Sequence, residues 1–230
     1  LIGGGGDDIL FSSSGLDSVD GGVGANDRLI FDGFNSEFAS DHIVNSLAVE
    51  SRIFETPTRS YDFKTTYTNV ETLDIGFGSA DQNVTVDLAG LPANVSLDTR
   101  GPSASDSVTI KGSAGNDVLN LSGTSLSNGT TTIDLAGVEE LTLEVSSGGA
   151  DTISVDQDFS GSARSIIISG DSADDSVSLQ STTKPQQVNI FNSDAYVAQI
   201  QEVLGGALVL EEILSDGGDD GSENTIQNQQ

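Results

Sequence analysis

Eleven short segments in which apolar and polar side chains alternate run along most of this chain, and they leave room for little besides β-structure. They are Leu73–Ile75, Val84–Leu88, Val95–Leu97, Val108–Ile110, Val118–Leu121, Ile133–Leu135, Leu141–Leu143, Ile153–Val155, Ile166–Ile168, Val177–Leu179 and Val188–Ile190. Their centres lie about 9–14 residues apart, with Gly, Ser, Asn or Asp between, a spacing that suits a β-sandwich or a stacked solenoid. Internal similarity favours the solenoid. Val70-Glu71-Thr72-Leu73-Asp74-Ile75 is echoed by Val138-Glu139-Glu140-Leu141-Thr142-Leu143, and the turns Gly78–Asp81 and Gly148–Asp151 follow at matching places. The offset of 68 residues reads as three coils of about 23. In a solenoid each coil buries its apolar side chains only by stacking on a neighbour, so its turns come to resemble one another.

Charge narrows the function. The chain carries 36 acidic and 8 basic residues, a net charge of −28, and 25 of the acids are Asp. Such acidity with few aromatics often means disorder, but apolar residues make up 35% and fall into alternating runs, so the charge is read as folded. Asp favours turns and brings a carboxylate close to the backbone, where a hard cation finds oxygen ligands. No basic stripe exists to neutralise phosphates, which argues against nucleic acid. With no Cys, disulfides and thiolate metal sites are ruled out. No apolar run reaches the roughly 18 residues a spanning helix needs, so no membrane insertion is expected. The absence of Met leads to the expectation of a fragment or a processed product.

The N-terminus holds the sharpest motif. Gly3-Gly4-Gly5-Gly6-Asp7-Asp8-Ile9-Leu10-Phe11 fits the nonapeptide G-G-x-G-x-D-x-U-x at every fixed position. Ser12 to Asp20 keeps Gly15, Asp17 and Val19 in the fourth, sixth and eighth places. A third copy starts at Gly21-Gly22, keeps Gly24, and reaches Asp27 and Leu29 after one inserted residue. Glycine lets carbonyls crowd inward, the sixth residue adds a carboxylate, and the eighth points into the core. An oxygen-only cage of this kind is what Ca²⁺ accepts.

Over residues 3–31 the chain resembles the RTX family, the haemolysin-type calcium-binding repeats of bacterial proteins. That resemblance implies a parallel β-roll with Ca²⁺ held between turns on one side. Asp8 and Asp27 would then share an ion, and Asp17 would face the opposite side, with a partner upstream or in Asp32–Asn35. Among degenerate downstream turns, Gly112–Leu119 offers Asp117 as the best further ligand. Gly101–Asp106, Ser146–Asp151 and Gly170–Asp175 keep the Asp but lose most glycines, and read first as turns whose Asp bonds its own backbone. Residues 66–192 resemble, more loosely, the degenerate repeats of large bacterial exoproteins and adhesins.

The expected organisation is all-β: a calcium-binding β-roll over 1–33, continuing into a longer-coil, β-helix-like parallel β-solenoid over 70–192. Between them, 34–69 reads as an irregular insertion with helix-compatible text at Phe38–Val49. Residues 193–230 read as a cap and a flexible acidic tail, with a short amphipathic helix across Asp194–Leu204. His42, the sole histidine, reads as a surface residue, and no G-x-S-x-G or H-E-x-x-H motif accompanies it. No enzyme is expected. The expected function is a calcium-stabilised structural module of an extracellular bacterial surface or secreted protein (surface layer, filament or adhesin), partnered by further copies or parts of that protein. The other readings are the non-catalytic portion of a secreted enzyme or toxin, and a glycan-binding solenoid.

Overall fold

The structure, a computed structural model, describes residues 1–12, 15–32, 38–99, 105–145, 148–156, 165–170, 176–180, 187–192, 200–203 and 213–215. Among these there is no helix. The first strands are β1 (Ile2–Gly5), β2 (Ile9–Ser12), β3 (Leu16–Val23), β4 (Arg28–Asp32), β5 (Ser40–Asn45), β6 (Ala48–Thr56) and β7 (Arg59–Thr68). The middle of the chain supplies β8 (Thr72–Gly76), β9 (Gln82–Asp87), β10 (Asn94–Asp98), β11 (Ser107–Lys111), β12 (Val118–Ser122), β13 (Ser125–Ser127) and β14 (Thr132–Ala136). The last are β15 (Glu140–Glu144), β16 (Thr152–Val155), β17 (Ser165–Gly170), β18 (Ser176–Gln180), β19 (Gln187–Asn192), β20 (Ile200–Val203) and β21 (Ile213–Ser215).

They build two mixed sheets, neither closed into a barrel. One has eleven strands in the order β1-β3-β7-β6-β5-β9-β11-β15-β17-β19-β21, the other ten in the order β2-β4-β8-β10-β14-β13-β12-β16-β18-β20. Outside two excursions the chain crosses to the other sheet after each strand and pairs in parallel with the strand laid down one circuit earlier. Ile2 stands beside Asp20, Ile9 beside Arg28, Val84 beside Val108 and Leu143 beside Ile168.

The excursions are antiparallel three-stranded meanders of matching topology. In the first sheet β5 is laid beside β9, the chain doubles back through β6, and β7 returns to pair in parallel with β3. In the second, β12 lies beside β16, β13 doubles back, and β14 returns beside β10. Residues 34–69 therefore hold no described helix, and Phe38–Val49 contributes strand instead. Of the helix expected over Asp194–Leu204, the described part, Ile200–Val203, is strand β20 paired with β18; the remainder and the tail 216–230 lie outside the described residues.

Alternation with period two sets which side chains face inward. Leu29, Phe31, Leu73, Ile75, Leu97, Leu119 and Leu121 from one sheet meet Val84, Val86, Val108, Ile110, Leu141 and Leu143 from the other in a single core cluster. All eleven segments recognised by alternation are strands. Their echo is not a whole number of circuits, however, because Leu73 lies in the ten-stranded sheet and Leu141 in the eleven-stranded one. The meander of residues 40–68 escapes the pattern because polar residues hold inward positions there. Ser40, His42, Ser51 and Thr65 are all buried, satisfied through bonds such as Ser12 Oγ to Thr65 Oγ1 at 2.8 Å.

Leu73 is fully buried on a central strand, whereas Val118 is 60% exposed. Leu73→Ala should lower stability by about 3 kcal/mol and Val118→Ala by less than about 1 kcal/mol, read by urea denaturation.

Candidate metal centre

One interaction recurs at five of the turns that lead into a strand. The residue just before the strand directs its carboxylate to the backbone amide of the equivalent residue on the preceding parallel neighbour. Asp27 Oδ1 accepts from the Asp8 amide at 2.8 Å, and Glu71 Oε2 accepts from the Asp27 amide at 2.8 Å. On the other sheet Asp106 Oδ1 takes the Gln82 amide at 2.8 Å and Glu139 Oε2 the Asp106 amide at 3.1 Å. A third series joins the Asp117 amide to Asp151 Oδ1 at 2.7 Å. The carbonyls at these positions bond onward to the next strand, for example Asp8 O to the Arg28 amide at 2.9 Å. A hydrogen bond to a charged acceptor contributes about 1.5–3 kcal/mol, so these rungs pin the stacking of one turn on the next.

The structure brings Asp8 and Asp27 together, as expected from the nonapeptides. Leu10, Val19 and Leu29, the eighth-position residues, are buried in the core. While Asp27 Oδ1 holds the Asp8 amide, Asp8 Oδ2 and Asp27 Oδ2 are buried with no hydrogen-bond partner among the described residues. A buried polar oxygen without a partner is costly. The surrounding turns are packed so closely that two glycines are obligatory. A Cβ on Gly3 would lie 2.7 Å from Asp8 Oδ2 and would strike the Gly21 carbonyl. On Gly24 it would lie 2.7 Å from Asp27 Oδ2 and would strike the Gly6 carbonyl. Two carboxylates and backbone carbonyls thus crowd one pair of stacked turns, and the donors are all oxygen. That set suits a hard divalent cation. Among the described residues no three His, Cys, Asp or Glu side chains gather to hold a metal by themselves, so backbone oxygens and water would complete the shell.

Asp17 does not join them. It lies within β3, exposed, opposite Thr65 of β7, and its Oδ2 accepts from Ser12 Oγ at 2.9 Å. The meander lays a row of threonines beside β3 where another acidic turn was expected. Asp32 ends β4 on the other sheet, and residues 33–37 lie outside the described residues. Asp117 is buried, but Ser113 satisfies both of its oxygens, through its amide at 2.6 Å and its hydroxyl at 3.0 Å. This is a self-closed turn. The rung residues Glu71 and Glu139 were not recognised from sequence as turn ligands, although each stands one place before a strand, as Asp27 does. Asp106 is fully buried, and burial pushes its carboxyl up to about 6, opposed by the Gln82 amide and the Thr99 side chain and helped by the charges of Glu139 and Asp81.

His42 is a core residue, not a surface one. It is 1% exposed, packs on Phe77 with ring centroids 4.4 Å apart, and bonds Ser51 Oγ at 2.7 Å and Gln82 Oε1 at 2.8 Å. Because Gln82 Nε2 donates to the Ala80 carbonyl, Gln82 Oε1 must accept from His42 Nε2–H, which leaves Nδ1 to accept from Ser51. Burial lowers its pKa to about 4. A neutral imidazole held between two strands orders the meander and meets no solvent.

Comparison with family models, with curated proteins and with solved structures yields no match to the chain.

Gly24→Ala should destabilise the protein by about 2 kcal/mol through overpacking. Gly115→Ala, where the nearest atom would be 3.8 Å away, should cost less, and thermal melting compares the two. For His42 the unfolded chain takes up a proton near pH 6.5 and the folded one only near 4, so its contribution is complete above pH 6.5 and is lost as pH falls toward 4. Relative to His42→Gln, the unaltered protein should lose about 3 kcal/mol between pH 7 and pH 4, measured by urea denaturation at each pH.

Proposed function

We propose that this chain is a calcium-stabilised structural module of an extracellular bacterial protein, its circuits forming the coils of a parallel β-solenoid. The observation that carries the reading is the pair Asp8 and Asp27, whose buried Oδ2 atoms lack partners inside turns too tight for any side chain at Gly3 or Gly24. An ion between these turns would neutralise two stacked carboxylates, and its binding free energy would become folding free energy. Asp8 and Asp27 would hold it, with carbonyls of the glycine turns.

The chain's other features support a scaffold over an enzyme or a nucleic-acid binder. Every Lys and Arg among the described residues is already ion-paired: Arg28 with Asp74, Arg52 with Asp62, Arg59 with Glu55, Lys64 with Glu50 and Lys111 with Glu144. None of these five is left to meet a phosphate. The sole histidine is buried and neutral. A net charge of −28 and a calcium-dependent fold fit a calcium-rich exterior, in a surface layer, filament or adhesin where further copies or parts of the same protein are the partners.

Thermal melting and far-UV circular dichroism during a Ca²⁺ titration, with Mg²⁺ alongside, test the reading. Calcium at about 0.1–1 mM should raise the melting temperature well beyond the effect of equal Mg²⁺, and Asp8→Ala/Asp27→Ala should abolish much of that rise. A melting temperature indifferent to calcium and chelator would overturn it.

A further inference from the structure

The geometry points to a second divalent-cation site, outside the glycine-rich block, at the turn carboxylate of Asp106. Asp106 is fully buried. Its Oδ1 accepts the Gln82 amide at 2.8 Å, and its Oδ2 is buried with no hydrogen-bond partner among the described residues. This is the arrangement found at Asp27: one oxygen on the neighbouring turn's amide, the other bare.

Its surroundings make the bare oxygen more demanding than a chance orphan. Asp106 stands one place before β11, between the turns that lead into β9 and β15. Glu139 on one side is held by the Asp106 amide at 3.1 Å. Asp81 on the other accepts the Ser105 amide at 3.0 Å. Both are acids, and the basic side chains among the described residues are paired elsewhere. A buried carboxylate flanked by like charges and lacking a cation is strongly disfavoured. A hard divalent cation relieves that cost, with Asp106 Oδ2 as its anchor, Asp81 and Glu139 adding negative charge, and water or backbone oxygens filling the shell.

The contrast with Asp117 gives the inference its content. By glycine count the Gly112–Asp117 turn is the better match to the nonapeptide, yet Ser113 occupies both Asp117 oxygens. Which turn takes an ion is decided by whether a local donor has already claimed the second oxygen, not by glycine content. The inference shares with the proposed function the premise that a bare buried turn oxygen marks a cation, and it is tested at a different residue.

The full chain, stripped with chelator, is dialysed against CaCl₂, and bound ions are counted by atomic absorption, with MgCl₂ in parallel. Asp106→Asn keeps an oxygen for the Gln82 amide and removes a buried charge. It should bind one fewer divalent ion than the unaltered chain, melt higher than it in chelator, and gain less on adding the ion. Glu139→Gln, which keeps an oxygen for the Asp106 amide, should weaken the same ion several-fold. An Asp106→Asn protein that binds as many ions as the unaltered chain overturns the inference. Loss of an ion in Asp8→Ala/Asp27→Ala reports on the N-terminal site alone, so the two readings fail separately.

Discussion

A chain that stacks parallel strands must satisfy, at every turn, the backbone amide just before the ladder begins. Here the answer is a carboxylate from the next circuit. Asp27, Glu71, Asp106, Glu139 and Asp151 each reach back to the amide of the residue below. The rest of the structure follows from that choice. It sets the register, since a slip of one residue would part every carboxylate from its amide and would flip the inward side chains. It also gives five of the 36 acids a structural task, because an anionic acceptor bonds an amide better than a neutral one.

The same choice creates the fold's chief liability. Acids at equivalent positions of parallel circuits stand above one another, and like charges in line repel. The few basic residues are spent on exposed acids, in the antiparallel meander as well as between parallel strands. Arg52 faces Asp62, Lys64 faces Glu50 and Lys111 faces Glu144 in direct cross-strand register, each pair exposed and individually weak. Inside the turns no basic side chain intervenes among the described residues. There, backbone amides take one oxygen of Asp27, Asp106 and Asp117, and the other oxygen separates the turns into kinds: Ser113 closes the Asp117 turn, while Asp8, Asp27 and Asp106 each keep an oxygen without a partner among the described residues.

Much of this was legible from sequence. Strict alternation located eleven strands because their apolar positions are Val, Leu or Ile, and the two nonapeptide acids Asp8 and Asp27 lie on stacked turns joined by one hydrogen bond. What escaped did so for identifiable reasons. In residues 40–67 the inward positions of β5, β6 and β7 include His42, Ser51 and Thr65, so the period of two was masked by polar residues that satisfy one another across strands. His42 reads as a surface residue until Ser51 and Gln82 are seen on either side of it. Asp17 holds the right place in its nonapeptide, but the meander that fills the space beside it is supplied by residues more than forty positions away. Glu71 and Glu139 were visible only as part of a strand motif, since nothing in V-E-x-L tells that the Glu points back along the stack.

The two meanders have a geometric consequence. Each adds two strands to one sheet and none to the sheet facing it, a width of roughly 10 Å at the usual interstrand spacing. One such wedge alone would splay the layers and force the stack to curve toward the narrower side. The second wedge has the same width and sits in the opposite sheet. The two additions offset one another in strand number, and the sheets end nearly level, at eleven and ten strands.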